Sequence, residues 1–466
     1  MAAKFRRGDL GGARSDCNRF FAAIPDPVRR APLHFWLGAV EQRSGALPAA
    51  IEQFELALET DRFNLPWLLQ AGLAHFQSNA PARAEALYRE ALNLDSHSAL
   101  AHYNLGILLQ HEHDWPGACM EYEAAVEHEP QFAEALVNLA NTRVELADFD
   151  AAETDYRRAL AINPHLANAH YGLGLQHLRR RQQALAAQCF ECAVADDPAH
   201  IEAWLDLAEC RHSAGDDARA IAGAEQALAR TPADTPAHAT ARFKLSHYRG
   251  ESPAAAPHAM VERLYAAMAD TFDAHLTGRL GYRIPALLIA ELDAWLTGFP
   301  AAGSRRPAVL DLGCGTGLFG QEVRPFAASI VGVDLSAPML AHARARNCYD
   351  RLIESDFESY LAGTDERFDL ITATDVLIYI GRLDALFAQV AARLSADGRF
   401  ALSVETPPGL DQDYRLLPTG RYAHRATYVE RLAAENALIV AKRIDTSIRM
   451  ENGLPVSGRV FILQKK

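Results

Sequence analysis

The stretch AVLDLGCGTGLFGQEV, residues 308–323, decides how the second half of this chain is read. Its apolar start is strand-like; it breaks into Gly313, Gly315 and Gly317 and then re-enters a helical pattern. Glycines at that spacing let the backbone turn tightly and come close to a ligand. SIVGVDLSAPMLAHARA (329–345) follows as a second strand and helix, with Ser336 placed to cap the helix. FDLITATDVL (368–377) and GRFALSVET (398–406) read as further strands on either side of a helix over 383–394. ALIVAKRID (437–445) and VSGRVFILQK (456–465) are strand-like with no long helix between them. Alternating strands and helices ended by a hairpin predict an open, mostly parallel sheet with an antiparallel edge.

The acids of this half fall where strands end. Asp311 closes the first strand, Asp334 the second, Asp356 follows the third and Asp375 the fourth. Open α/β sheets bind ligands at those carboxyl ends. A carboxylate at Asp334 can accept both hydroxyls of a ribose. NAD would use the same carboxylate but wants GxGxxG, and the loop here is DxGxGxG. Over roughly 305–466 the chain resembles the class I S-adenosylmethionine-dependent methyltransferases. That resemblance implies S-adenosylmethionine as cofactor. It puts Asp311, Gly313, Cys314, Gly315 and Gly317 near the methionine moiety, Asp334, Leu335 and Ser336 at the ribose, Asp356 and Phe357 at adenine, and Asp375 at the amino acid end.

The first half is periodic. Ala50, Ala84, Ala118, Ala152, Ala186 and Ala220 stand 34 residues apart. In phase with them run Ala57 to Ala227, the series Gly38, Gly72, Gly106, Ala140, Gly174, Ala208, and the prolines 130, 164, 198 and 232. Phe54, Tyr88, Tyr122, Tyr156 and Phe190 sit between the alanines, and Ala224 breaks that pattern. Small residues let antiparallel helices approach closely, an aromatic packs between pairs, and proline ends each unit. The pattern resembles the tetratricopeptide repeat. Six units and a capping helix fill 31–248, after an N-terminal extension (1–30) expected to be partly disordered. GESPAAAP marks a linker at 249–257, and a helical segment at 258–299 is expected to cover the cofactor ahead of a methyltransferase domain at 300–466. The fold class is thus an all-α superhelix followed by an α/β Rossmann-like domain. The whole arrangement resembles bacterial repeat-containing methyltransferases.

In the resembling repeats a concave surface holds a protein partner. Here Leu69, Tyr103, Ile107, Tyr171, Leu175 and Leu205, with Asn104, Asn138 and Asn141, are its candidates. For the chemistry, His424 is the candidate general base, because it shares a loop with Arg421, Tyr422 and Arg425 and titrates near neutral pH. Tyr379 is the candidate wall of the acceptor pocket, and Tyr422, Arg449 and Glu451 are the candidate acceptor ligands. TDVLIYI stands where amino-type DNA methyltransferases carry an NPPY-like motif, which disfavours base methylation. A net charge of -13 likewise disfavours nucleic acid. Cys189 and Cys192 share a helix face without the further ligands a structural zinc needs, so no metal is expected. No stretch approaches 18 apolar residues, and no apolar run follows the first arginines, so neither a membrane span nor a secretory signal is expected. Cytoplasm is the expected compartment. The expected function is methyl transfer with repeats that recruit a protein. A catalytically silent scaffold and a small-molecule O- or N-methyltransferase are the alternatives.

Overall fold

The computed structural model describes residues 1–266, 268–298, 306–451 and 453–466. It divides into two compact units, Met1–Cys210 and Arg211–Lys466.

The first unit is a stack of helical pairs. Pro27–Arg43 pairs with Leu47–Thr60, Leu65–Gln77 with Pro81–Leu94, Ala99–His111 with Trp115–His128, Ala133–Glu145 with Phe149–Ile162, and Ala167–Arg179 with Gln183–Asp196. The packing explains the 34-residue series. A Cβ on Gly38, Gly72, Gly106 or Gly174 would lie 2.5–2.7 Å from the ring of Phe54, Tyr88, Tyr122 or Phe190. Where the series holds Ala140, Tyr156 lies instead against Gly172 and donates its hydroxyl to Asn141 Oδ1. Each pair turns through a left-handed residue: Gly45, Asn79, His113, Ala147 and Arg181, with Gly215 continuing the spacing in the second unit. The first residues are not the partly disordered extension expected from sequence. Ala2–Arg6 and Leu10–Ala23 are helices, because Ala13 and Cys17 are fully buried and Asp9 caps the second through Gly12 N–H.

The second unit begins in the middle of the helix Ile201–Ser213 and includes Asp217–Arg230 and Pro236–Tyr248. Its sheet contains β1 (Ala308–Leu312), β2 (Ser329–Asp334), β3 (Arg351–Glu354), β4 (Phe368–Ala373), β5 (Leu394–Glu405), β6 (Tyr414–Leu416), β7 (Tyr422–His424), β8 (Leu438–Glu451) and β9 (Leu454–Lys465). β3, β2, β1, β4 and β5 run parallel in that order; β9 pairs antiparallel with β5, and β8 with β9. The hairpin of β6 and β7 meets β5 at Glu405. An α/β sheet with an antiparallel edge is therefore what the second half forms.

Residues 249–257 are no open linker. Ala255 bridges Ile380, Ala256 N–H donates to Tyr379 O, and Gly381 and Arg382 N–H donate to Ala254 O. Apolar packing reinforces this strap, with Phe243, Ala256, Val261, Tyr379 and Tyr422 in one cluster. Beyond it come the helix His258–Ala266, a 3-10 turn Ala269–Thr271, a π-helix Ala274–Arg279 and the helix Ile284–Thr297. The boundary drawn from sequence at 299/300 lies outside the described residues.

Candidate functional site

The strand ends of β1, β2 and β4 open into a cavity of about 270 Å³. Its floor is the glycine loop after β1 with Asp334, Leu335 and Ser336; its far wall holds Asp375, Tyr379, Arg421 and Arg449; Ala255, Tyr265, Phe272, His275 and Tyr282 of the segment before β1 also line it.

The loop is built from the sheet outward. Gly313 and Cys314 N–H both donate to Val333 O, and Gly315 N–H donates to Asp334 Oδ2 at 2.8 Å. Gly313, Gly315 and Gly317 all have positive φ, which L side chains rarely adopt. Their surroundings differ. A Cβ on Gly313 would collide with Val376, and one on Gly317 would press on Tyr349 and Arg346. A Cβ on Gly315 would meet only Phe272, at 3.9 Å, so it would project into the cavity and take up ligand space. Gly317 therefore serves packing and does not line the cavity, contrary to its expected place at a cofactor.

Asp334 accepts from Gly315 N–H and, through Oδ1, from Ser336 N–H at 2.9 Å, while Ser336 caps the helix Ala337–Ala345. Burial raises its pKa despite those donors. Each carboxylate oxygen keeps a second lone pair, so two hydroxyls can still be accepted. Asp356 caps Phe357–Gly363 through Ser359 N–H at 2.8 Å and also lines the cavity with Phe357. Burial pushes its pKa up, but the Ser359 donations outweigh it and hold it below the usual value. Asp311 is almost wholly buried, taking the hydroxyls of Tyr349 and Thr372, each at 2.7 Å; burial outweighs them and lifts its pKa to about 6.

At the far wall Asp375 is in the left-handed region at φ 53, a strained conformation for a non-glycine residue, with its N–H on Ser403 Oγ. Its carboxylate pairs with Arg449, which is buried and also pairs with Glu405. Burial raises Asp375 to about 6 against the pull of Arg449 and Arg421. Tyr265 on the covering side donates to Tyr379 Oη at 3.1 Å. Burial raises both phenols, so they stay protonated donors.

Three expected acceptor residues do not reach the cavity. His424 is fully buried in β7, not in a loop, and Nε2–H donates to Ile380 O at 2.8 Å and Gly381 O at 3.1 Å. Burial lowers its pKa to about 4. It is a neutral structural donor that fixes the loop after Tyr379, and its assignment as general base is overturned. Tyr422 is likewise buried, with its hydroxyl on Pro253 O, tying down the strap. Glu451 pairs with Arg421 at 2.8 Å and does not itself line the cavity. Sequence reasoning noted Arg421 only as a neighbour of His424, and missed Tyr265 as a lining residue and Tyr349 and Thr372 as the buried partners of Asp311. None carries a local motif; tertiary packing alone brings them to the site.

Among the described residues, no group of three or more His, Cys, Asp or Glu is placed to hold a metal ion, and no helix is long and apolar enough to cross a membrane. Cys189 is pushed up to about 11 by burial, which makes it a poor thiolate.

In the candidate groove, Leu69 and Leu205 are buried in the stack. Tyr103 is half-buried against Phe132 and Tyr122, and Tyr171 against Phe190 and His200 with its hydroxyl on Asp206. Asn138 and Asn141 bond the hydroxyls of Tyr122 and Tyr156. Leu175 is exposed.

Fold and cavity together define a class I methyltransferase-like domain joined to a tetratricopeptide-repeat region. Comparison with known proteins agrees. The family model described as a methyltransferase domain matches residues 284–437, and the tetratricopeptide-repeat model matches 137–191 and 171–235. Malonyl-(acyl-carrier protein) O-methyltransferase of Enterobacter lignolyticus is 29% identical over 149 residues, covering 31% of this chain and 57% of that protein. The enzyme of the same name from Legionella pneumophila is 29% identical over 153 residues, covering 31% and 52%. The chain thus spans about half the length of the curated relatives it matches. Magnesium protoporphyrin IX methyltransferase from Synechocystis, solved with bound S-adenosylmethionine, is 17% identical, covering 45% of this chain and 97% of that one at a TM-score of 0.35.

Proposed function

We propose that this chain transfers a methyl group from S-adenosylmethionine, with its repeat region engaging a protein that is the acceptor or presents it. One observation carries the reading: acids at successive strand ends of one sheet face a single cavity beside Gly315, whose missing side chain leaves ligand space. When bound, S-adenosylmethionine supplies an electrophilic methyl on a cationic sulfur. Asp334 would accept its ribose hydroxyls, Asp356 and Phe357 its adenine, and the buried acids Asp311 and Asp375 favour a cation over a neutral ligand. Leu335, Ser336, Cys314 and Gly313 shape the wall, and Tyr379 stands where the acceptor would enter. The cover keeps water from the reacting atoms. The names of the curated relatives fit O-methylation. All seven cysteines are free, which fits a reducing cytoplasm.

Calorimetry tests it. The wild-type chain is expected to bind S-adenosylmethionine and S-adenosylhomocysteine, and Asp334→Ala to weaken both roughly 5- to 150-fold, the equivalent of ~1–3 kcal/mol. No heat with either ligand, and clear heat with NAD, would sink the reading.

The repeat region supports engagement of a protein through its stacked helical pairs, whose free surface carries half-buried Tyr103, Ile107 and Tyr171 and exposed Leu175. Because the two tyrosines also pack within the stack, Leu175→Glu is the cleaner probe. It is expected to leave cofactor affinity unchanged and to lower methylation of the protein target. Full methylation of that target by a folded variant would remove the surface from the function.

A further inference from the structure

Tyr349 lies behind the glycine loop, between the helix Ala337–Ala345 and β3, and side chains are cut back around its ring from three directions. A Cβ on Gly317 would stand 3.0 Å from its Cε2, one on Gly332 2.8 Å from its Cε1, and one on Gly320 closer still to its Cζ. Those glycines belong to the loop, to β2 and to the helix Leu318–Val323. The segment carrying the ring is itself pinned. Asp350 accepts Ile330 N–H and the Arg324 guanidinium, each at 2.7 Å, and its own N–H donates to Ile330 O.

The glycines make room for a ring, and phenylalanine would fill that space as well. The hydroxyl has a separate task. It donates to Asp311 Oδ2 at 2.7 Å, while Thr372 of β4 donates to Oδ1. Burial keeps the phenol protonated and therefore a donor. Two hydroxyls from different elements thus fix the plane of the Asp311 carboxylate at the cavity lining, and each oxygen keeps a lone pair. The other titratable groups that face Asp311 are Asp334 of β2, Cys314 of the glycine loop, Cys348 beside Tyr349, and Tyr282 from the segment before β1. Burial pushes the Asp311 pKa up, the Tyr349 and Thr372 hydroxyls pull it down, and Asp334 adds to the rise.

We infer that Tyr349 is a positioning residue for the methyl donor: its hydroxyl fixes the Asp311 carboxylate at the cavity, and through that carboxylate the site holds cationic S-adenosylmethionine in preference to its uncharged product. The inference rests on the reading of the cavity as the cofactor site. The two ligands share adenine, ribose and the amino acid end, and differ by one methyl and one charge on sulfur. A fixed negative charge at a buried cavity separates such a pair more than it would in water. Loss of the hydroxyl removes a donor to the charged form of Asp311 and so favours the neutral acid.

Calorimetry on the full-length chain tests this, with S-adenosylmethionine and S-adenosylhomocysteine as probes. Tyr349→Phe keeps the ring among its glycines. It is expected to weaken S-adenosylmethionine about 10-fold at pH 7.5 and S-adenosylhomocysteine no more than about 2- to 3-fold. In an Asp311→Asn background the same substitution should change S-adenosylmethionine affinity less than about 2-fold, because its target is gone. The pH profile is a second readout. Asp311 titrates at about 6, so the wild-type preference for the cation is full above that value and falls as pH drops through it. In Tyr349→Phe the fall should begin at higher pH. Asp375 acts alike in both proteins, so the difference between the profiles belongs to Tyr349. This arm needs only the single variant and decides the matter even where Asp311→Asn does not fold. Equal loss of both ligands, the same loss in the Asp311→Asn background, or coincident profiles overturns the inference. A wild type that binds neither ligand fells the cofactor reading and this inference with it. A wild type that binds both, with Tyr349→Phe unchanged, fells this inference alone.

Discussion

Asp273 of the covering segment pairs with Arg346, 73 residues further along the chain at the end of the helix after β2. The other Asp273 oxygen accepts the hydroxyl of Thr316, inside the glycine loop, and Arg346 Nε returns to Thr316 O at 2.6 Å. Cover, loop and helix are thus closed by one carboxylate and one guanidinium. A cation at Arg346 also suits the helix C-terminus.

Removing that carboxylate should loosen the cover without touching the cavity wall. Asp273→Asn is expected to weaken S-adenosylhomocysteine several-fold, mainly through faster release, since the pair is partly exposed and worth about 1 kcal/mol. Stopped-flow displacement would measure it, and an unchanged dissociation rate would show that the latch does not hold the cover.

His424→Ala tests a stabilising role against a catalytic one. Two carbonyls lose the imidazole donor, so the variant should lose about 1–3 kcal/mol of stability at pH 7.5 while keeping cofactor affinity. The pH dependence has a definite sign. Burial lowers the folded pKa to about 4, below the unfolded 6.5. Between those values the unfolded chain binds the proton, so this contribution is present above pH 6.5 and is lost as pH falls towards 4, about 3 kcal/mol in all. Asp311 and Asp375, both raised to about 6, act in the opposite direction over part of that range. The wild type minus variant difference isolates the histidine. Urea titrations at pH 7.5 and 5 should show the gap between the two proteins narrowing in acid.

In the repeats, Gly106→Ala would place a Cβ 2.7 Å from Tyr122 Cε1. Helix propensity alone would stabilise by about 1 kcal/mol; overpacking costs roughly 1–3 kcal/mol and should win. Ala208→Gly, in the unit where Ala224 replaces the aromatic, should lose the propensity term and about 0.8 kcal/mol more for one buried methyl. Denaturant midpoints decide it, and a stabilised Gly106→Ala would deny the ring contact its role.

A fragment of residues 258–466 lacks the strap, leaving Tyr379 O, the N–H groups of Gly381 and Arg382, and the Tyr422 hydroxyl without partners. A fragment of residues 211–466 keeps them. The shorter piece should be less stable by roughly 3–5 kcal/mol, read from urea unfolding of both. Equal midpoints would return 249–257 to the status of a spacer.

What could be read in advance follows from how local each cause is. The 34-residue series was legible because in four of the units a ring needs a glycine at the same place. The left-handed turns at Asn79, His113, Ala147 and Arg181 were not, because no residue type repeats there. The glycine loop and the strand-end acids were legible, since adjacent sequence builds them. Arg421 and Tyr265 reach the cavity, and Tyr349 reaches Asp311 behind it, from separate elements, and no local motif marks where they go. His424 was misread as a loop residue because a three-residue strand is too short to show alternation.

The strap also sets an order of events during synthesis. Pro253 finds its partner in Tyr422, 169 residues later, and Ala254 and Ala256 find theirs around Ile380. At 5–20 residues per second, roughly 8–35 s pass between emergence of the strap from the ribosome and emergence of the strand that receives it. The helical pairs before it can stack as they appear, from neighbour contacts alone. The helix Pro236–Tyr248, with the Phe243 face that belongs to the later cluster, must wait with apolar surface uncovered. That interval is when a nascent chain of this protein is most open to chaperones and to self-association.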